Sequence, residues 1–113
     1  MAARSSQMSP QQVVMQVIYP TSAASNFDME YYLNTHIPLV EKRWCSQGLQ
    51  AWTVTTGQNS TNYHVQTTLI WKDMEALKNA EFVEELADDV KNFTDATPTR
   101  WIGTVIGQRI VRL

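Results

Sequence analysis

The chain has 113 residues, of which 43% are hydrophobic and 18% charged, and this size predicts one domain with a modest core. A formal net charge of −2, with nine lysines and arginines scattered along the chain, argues against nucleic acid as a partner. No apolar run approaches the ~20 residues that cross a bilayer, and the N-terminus lacks the apolar core of a secretory signal, so we expect a cytoplasmic protein without membrane partners.

Two features mark the start of the chain. Residues 1–12 are rich in serine and glutamine without clear periodicity, which predicts a flexible arm before a domain that spans residues 13–113. Residues 13–19 are rich in β-branched side chains and stop at Pro20, so the domain is predicted to open with a strand.

The next segment predicts a helix with a histidine on its buried side. Asp28 is a good N-cap, because its carboxylate can accept hydrogen bonds from the free backbone N–H groups of the first turn. Apolar residues then recur at spacings of three and four: Met29, Tyr32, Leu33, Ile37, Val40 and Trp44. His36 falls on this stripe, so its side chain should point toward the core.

Two neighbours of His36 bear on its role. Tyr32 lies one helical turn before it, where its phenol can hydrogen-bond the imidazole or share its ligand. Pro38 has no N–H for the carbonyl of Asn34, so the helix should kink or end near His36 and leave room for a pocket. The alternative is a core histidine with a single hydrogen bond, in a helix that ends at the proline; the periodicity fits both.

Two strands and a second helix follow. Leu49–Thr56 and Tyr63–Trp71 have the composition of strands, and the polar link of residues 57–62 suits a hairpin. Asp73 is predicted to cap a helix whose apolar residues recur every three or four positions, and this helix should break between residues 80 and 82.

A fourth strand is predicted at Trp101–Ile110, which completes the order β-α-β-β-α-β of an α+β, ferredoxin-like fold with an antiparallel sheet. Both helices then cover the same face of the sheet, and a second copy of the chain, in a homodimer, is the simplest cover for the other face. Gly103 and Gly107 share one face of this strand and would leave space for a cavity if that face meets the helices. Equally, they can permit twist or a bulge.

Five short segments also match the pattern of a known family: Val17–Pro20, Asn26–Asp28, Tyr31–Tyr32, Asn34–Val40 and Asp89–Asp95. They resemble the EthD-domain family, small proteins named from the bacterial degradation of ethyl tert-butyl ether, although Lys91 stands where that family often has proline. The resemblance implies a dimeric α+β barrel. It also implies a link to oxidative degradation, and related barrels include cofactor-free monooxygenases, polyketide cyclases and decarboxylases.

The sequence lacks the common motifs of cofactor, metal and serine chemistry, since it has no GxGxxG, P-loop, CxxC, HExxH or GxSxG. His36 and His64 could meet at a metal with Asp28 or Glu30, but no pair has a recognised ligand spacing. We therefore expect no cofactor and no metal, and the structural alternative for His64 is a place at the dimer interface.

Acid–base chemistry remains, and His36 suits it because an imidazole gains and loses protons near neutral pH. Tyr32 is predicted to assist His36, and the ligand should be a small hydrophobic or aromatic carbonyl compound that carries its own electron sink. Aromatic walls and hydrogen-bond donors would hold it, and the predicted substrate-binding residues are Tyr19, Phe27, Tyr31, Tyr63, Trp71, Asn92 and Phe93.

Three functions fit these features. The leading hypothesis is a cofactor-independent lyase, cyclase or decarboxylase that acts on an aromatic or polyketide-like carbonyl compound by proton transfer. The second is a non-catalytic binding or accessory protein of an oxidative degradation pathway. The third is a cofactor-free monooxygenase, in which the substrate's own carbanion activates oxygen.

Overall fold

The computed structural model describes residues 11–58, 62–80 and 83–112, and within them a four-stranded antiparallel sheet carries helices on one face. The strands are β1 (Val13–Pro20), β2 (Leu49–Thr56), β3 (Tyr63–Trp71) and β4 (Thr99–Thr104). They lie in the order β2-β3-β1-β4, and every neighbouring pair is antiparallel. The predicted α+β, ferredoxin-like fold is confirmed.

The helical elements are short. They are α1 (Met29–Tyr31), a π-helical turn (Tyr32–His36), α2 (Ile37–Trp44), α3 (Met74–Asn79) and α4 (Glu84–Asp89), with 3₁₀ turns at Thr21–Asn26, Cys45–Gln47 and Val90–Asn92. No helix in the described ranges is long and apolar enough to cross a bilayer. Most of the arm predicted at residues 1–12, and the centre of the 57–62 link, lie outside the described residues.

The start of the first helical region agrees with the prediction. At its proline the helix continues, whereas one of the two predicted alternatives was that it ends there. Asp28 caps α1 by accepting a hydrogen bond from the backbone N–H of Tyr31 at 3.0 Å. The helix does not end near Pro38. Instead it opens into the π turn, where the N–H of Ile37 reaches five residues back to the carbonyl of Tyr32. Pro38 then falls in the first turn of α2, where a missing N–H costs little.

The second helical region also follows the prediction. Asp73 caps α3 by accepting a hydrogen bond from the N–H of Ala76 at 2.7 Å. Helix α3 ends at Asn79 and α4 begins at Glu84, so the predicted break is confirmed, although residues 81–82 themselves lie outside the described part.

The predicted bounds of the fourth strand are wrong. Strand β4 starts two residues earlier and stops at Thr104, because its partner β1 begins at Val13. One further bond, from the N–H of Val105 to the carbonyl of Gln12 at 2.9 Å, continues the pairing. Residues 106–110 do not belong to a strand. The predicted fourth strand therefore extended beyond the residues that can pair with β1.

The glycines of this segment do not open a cavity. Gly103 pairs with Val14, on the face of the sheet away from the helices. A Cβ at Gly103 would lie 2.2 Å from the indole of Trp101, so the missing side chain makes room for that ring on the open face. Gly107 lies beyond the end of β4. The condition for a cavity at these glycines, a place on the helix side of the sheet, is therefore not met at Gly103.

Candidate functional site

A cavity of about 320 Å³, partly open to solvent, lies between the helices and the sheet. Its walls are mostly apolar, and the side chains on them that carry polar atoms are Tyr19, Tyr32, His36, Trp44, Thr67, Trp71 and Arg100. A wider depression of about 630 Å³, along residues 45–50 and 72–79, is open to solvent and contains neither His36 nor Tyr32. Because a concave, mostly apolar space with a few convergent polar groups is the usual form of a small-molecule site, the cavity is the candidate site.

His36 is the titratable imidazole of this cavity, and an acidic residue holds it. The side chain is buried, with 7% of the residue exposed, as its place on the apolar stripe predicted. Its Nδ1 lies 2.9 Å from Oδ2 of Asp89, the last residue of α4. An ionised carboxylate can only accept a hydrogen bond, so Nδ1 carries the proton and Nε2 bears the lone pair of the neutral ring.

Asp89 is itself fixed by two donors. The hydroxyl of Tyr31 donates to its Oδ1 at 2.6 Å, and the amide of Asn92 donates to the same oxygen at 2.9 Å. Burial works to raise the pKa of Asp89, but the hydrogen bonds from Tyr31, Asn92 and His36 outweigh it and lower that pKa below its usual value. The carboxylate therefore remains charged at neutral pH, in position to orient the imidazole and to stabilise its protonated form.

Two aromatic rings set the plane of the imidazole. The ring of Tyr32 stacks on His36, with centroids 5.6 Å apart and an angle of 16° between the planes. The ring of Phe93 packs on it at 4.7 Å and 54°. With Asp89 bonded to one nitrogen, these contacts restrict the rotation of the His36 side chain.

The hydroxyl of Tyr32 is not bonded to His36. It lies 2.5 Å from Oγ1 of Thr67 on β3, so of the two alternatives for Tyr32 the hydrogen bond to the imidazole is not formed. In a helix this pair meets face to face, and the phenol oxygen reaches past the imidazole to the sheet. Burial raises the pKa of Tyr32 to about 12, with the bond to Thr67 acting in the opposite direction, so the phenol keeps its proton at neutral pH.

The other predicted binding residues separate into two groups around the cavity. Tyr19 and Trp71 line it, as expected. Phe27 and Phe93 instead form an aromatic cluster with Tyr19 and Tyr32, in which the ring centroids of Phe27 and Phe93 lie 5.3 Å apart. These two phenylalanines support the site from behind rather than forming its wall.

The remaining three predicted residues also do not reach the cavity wall. Tyr31 and Asn92 act on it through Asp89, to which both donate hydrogen bonds. Tyr63 lies at the start of β3 with 49% of its surface exposed, away from the cavity. The geometry thus brings six of the predicted residues to the cavity or its supporting shell and leaves one outside.

Three residues of the site were missed from the sequence, namely Thr67, Asp89 and Arg100. Asp89 belonged to a segment noted only for its family pattern, and no spacing connects it with a histidine 53 positions earlier. Arg100 was missed because the fourth strand was predicted to begin at Trp101. It lies on β4 opposite Val17 and lines the cavity. Burial and Tyr32 raise the pKa of Tyr19, and the positive charge of Arg100 opposes them.

Comparison with known proteins gives structural relatives only, because no family model and no curated protein matches the chain. An EthD-like protein from Ralstonia eutropha JMP134 superposes with a TM-score of 0.77 at 24% identity, over 88% of this chain and 96% of that one. A dimeric ferredoxin-like protein from an uncultured marine organism gives 0.59 at 16% identity, over 88% and 99%.

A third structure carries a named activity. SnoaB from Streptomyces nogalater, a cofactor-independent oxygenase, superposes with a TM-score of 0.57 at 12% identity, over 88% of this chain and 97% of that one. At such identities the likeness establishes the fold. The predicted ferredoxin-like α+β fold is therefore confirmed, and the structures that share it include an EthD-like protein and a dimeric one.

Proposed function

We propose that this protein is a cofactor-independent enzyme of the lyase, cyclase or decarboxylase type, acting on a small aromatic or polyketide-like carbonyl compound by proton transfer. The observation that carries the proposal is the His36–Asp89 pair, joined at 2.9 Å, in which His36 lines a mostly apolar cavity. A carboxylate on Nδ1 fixes the tautomer that presents a basic Nε2, which is the arrangement expected of a general base.

The proposed step is removal of a proton from carbon next to a carbonyl group. Nε2 of His36 takes the proton, the C–H electron pair moves into an enolate, and Asp89 stabilises the resulting imidazolium. The same imidazolium then returns a proton to carbon or to a leaving oxygen. A positioned acid–base group contributes roughly 10²–10⁴-fold in rate, and an activated carbonyl substrate needs no further electron sink.

Two groups on the cavity wall can stabilise the enolate. The hydroxyls of Tyr32 and Thr67 hold two hydrogens between them, and their mutual bond uses one, so the other is available to an oxygen of the ligand. Arg100 adds a positive charge on the same wall. The proposed roles are therefore His36 as acid and base, Asp89 as its positioning partner, and Tyr32 with Thr67 as hydrogen-bond donors.

A cofactor-free monooxygenase is the second candidate, and the likeness to the oxygenase SnoaB favours it. The same base would form the carbanion, which would then transfer electrons to molecular oxygen. The two reactions separate under argon, where a monooxygenase stops and a lyase or cyclase continues. An accessory protein that binds without turnover remains the third possibility.

We also propose that the chain is a member of the EthD-like family and forms a homodimer through the open face of its sheet. That face carries Trp101 with 54% of its surface exposed, and the structural relatives include a dimeric ferredoxin-like protein. An exposed aromatic ring on an uncovered sheet is typical of an interface. The cytoplasmic location expected from the sequence stays a prediction.

The test combines ligand binding with turnover. Wild type and His36→Gln are screened by thermal shift against polyphenols and aromatic keto acids, and each ligand found is incubated with wild type in air and under argon. The proposal expects stabilisation of the wild type and products that form in both atmospheres. Binding without any product supports the accessory role, and equal turnover by His36→Gln would overturn the proposal.

A further inference from the structure

Arg100 brings a positive charge to a cavity wall that holds no carboxylate. It lies directly opposite Val17 on β1, and side chains opposite each other in an antiparallel pair share a face, so Arg100 is on the helix side of the sheet. It lines the cavity, and no described residue around that cavity is an aspartate or a glutamate. Within the described ranges Arg100 forms no ion pair, so its guanidinium is available to a negatively charged ligand.

The phenol of Tyr19 is a second unused donor beside Arg100. Tyr19 follows Val17 by two residues on β1, which makes it the diagonal neighbour of Arg100 on the same face, at a separation of roughly 7–8 Å that long and aromatic side chains can bridge. The residue lines the cavity with 2% of its surface exposed. Its hydroxyl is hydrogen-bonded to none of the residues that the structure describes.

The Tyr19 hydroxyl can be reached from the cavity. In the described part of the chain, the one wholly enclosed side-chain nitrogen or oxygen without a hydrogen-bond partner is Nε1 of Trp71. The Tyr19 oxygen has no described partner either but is not wholly enclosed, so it keeps accessible surface at the cavity that the residue lines. A mostly buried donor without an acceptor is unfavourable, and a ligand oxygen in the cavity would satisfy it.

The two donors lie at the same end of the cavity as the proposed base. The ring of Tyr19 packs edge-on against Tyr32, with centroids 6.2 Å apart, and Tyr32 stacks on His36 at 5.6 Å. The rest of the wall is mostly apolar. A ligand held by its anionic group at Arg100 and Tyr19 can therefore present a neighbouring carbon to His36 while its hydrocarbon part is buried along the apolar wall.

The chemistry of these donors selects a carboxylate. The guanidinium fork matches the two oxygens of a carboxylate and forms charge-assisted hydrogen bonds with them, to which a phenol can add another. One guanidinium balances the single charge of a carboxylate but not the two charges of a phosphate. Arg100 is exposed and the cavity is partly open, so a carboxylate bound there keeps part of its hydration and avoids the full cost of burial.

We infer that Arg100 and Tyr19 form a subsite for a ligand carboxylate, and that the substrate is an aromatic keto acid rather than a neutral ketone. The subsite is a statement about binding and is tested without turnover. The position of the reacting carbon at His36 rests on the proposed function.

The test compares 3-benzoylpropionate with butyrophenone, which share a phenyl ketone frame and differ by a carboxylate in place of a methyl group. Both compounds are titrated into wild type by calorimetry. We expect the acid to bind about tenfold more tightly than the ketone, because hydrogen bonds between charged groups are stronger than those between neutral ones. Added salt should weaken binding of the acid, since it screens the charges.

Variants assign the preference to the two donors. Arg100→Gln removes the charge and should lose most of the preference, and Tyr19→Phe should weaken binding of the acid several-fold while leaving the ketone unchanged. Arg109→Gln is the matched control, because Arg109 is another exposed arginine and does not line the cavity. This control should keep the tenfold preference. Since Arg100 is exposed, Arg100→Gln should unfold at the same temperature as wild type.

Several results would overturn the inference. They are equal binding of the two compounds to wild type, no binding of the acid, a preference retained in Arg100→Gln, or a preference lost equally in Arg109→Gln. His36→Gln should keep the preference for the acid, and a preference lost there but kept in Arg100→Gln would assign the carboxylate to the imidazole instead. If the proposed function alone fails, wild type still prefers the acid, but no ligand of the cavity is turned over.

Discussion

Along β3, the side chains that face the helices are buried, whereas those on the opposite face are partly exposed. Val65, Thr67, Leu69 and Trp71 have 3% or less of their surface exposed, and the last three line the cavity. The open face instead carries polar side chains, such as Gln66, which donates to Gln16 at 2.6 Å. One strand thus contributes to the site with one face and to the proposed dimer with the other.

This division has a consequence for mutagenesis. A substitution on the helix side should change turnover and leave assembly intact, whereas a substitution on the open side should do the reverse. The helix side holds the groups with unusual environments, namely the His36–Asp89 pair and the buried phenol of Tyr32. The open side holds an aromatic ring fitted over a glycine.

The largest expected effect comes from His36. His36→Gln should lower turnover by roughly 10²–10⁴-fold, because it removes the acid–base group, and leave the dimer unchanged in sedimentation. His64→Gln is the control, since His64 is the other histidine and its ring packs on Phe27 at 5.6 Å. A turnover loss of similar size in His64→Gln would break the assignment.

Asp89 should have the next largest effect. Asp89→Asn keeps the shape but loses the charge that stabilises the imidazolium, and we expect turnover to fall by roughly 10–100-fold. Asp88→Asn, at the exposed neighbour on α4, should leave turnover unchanged.

Tyr32 should affect how the free energy of unfolding depends on pH. Its folded pKa of about 12 exceeds the ordinary value of 10, so its contribution is fully present below pH 10 and is lost as the pH rises toward 12. We expect the free energy of unfolding to fall by up to about 3 kcal/mol more in wild type than in Tyr32→Phe across this window. Urea unfolding at several pH values measures it, and Tyr63→Phe, at an exposed tyrosine, should behave like wild type.

The smallest expected effect concerns the open face. Gly103→Ala places a Cβ against the Trp101 indole and should displace that ring, which weakens the dimer several-fold in sedimentation without changing turnover per site. Gly107→Ala is the matched control, because a Cβ there meets nothing within 4 Å. A loss of turnover in Gly103→Ala, with the dimer intact, would contradict the division between the two faces.

The sequence predicted the features that depend on local patterns. The order of elements, the caps at Asp28 and Asp73, and the inward direction of His36 all follow from spacing along one segment. The opened turn before Pro38 follows from the missing N–H of proline, although whether the helix ends or continues there depends on how the next residues pack.

The partners of the site depend on contacts between distant segments, which a single sequence does not reveal. Asp89 meets His36 because the end of α4 packs against the π turn, and Tyr32 meets Thr67 because helix and sheet face each other. Arg100 could have been predicted as a site residue only if the start of β4 had been located to within one residue. Strand ends are set by the partner strand, so the composition of the segment alone did not locate this one.

The most direct test of the central claim is proton exchange at carbon. Wild type and His36→Gln are incubated in D₂O with an aromatic ketone that the thermal-shift screen finds to bind, and ¹H NMR follows the replacement of the protons next to its carbonyl by deuterium. If His36, held by Asp89, is the acid–base group of the cavity, wild type should accelerate exchange above buffer in proportion to its concentration and His36→Gln should not. Equal acceleration by both proteins, or exchange at the buffer rate with wild type, would contradict the claim.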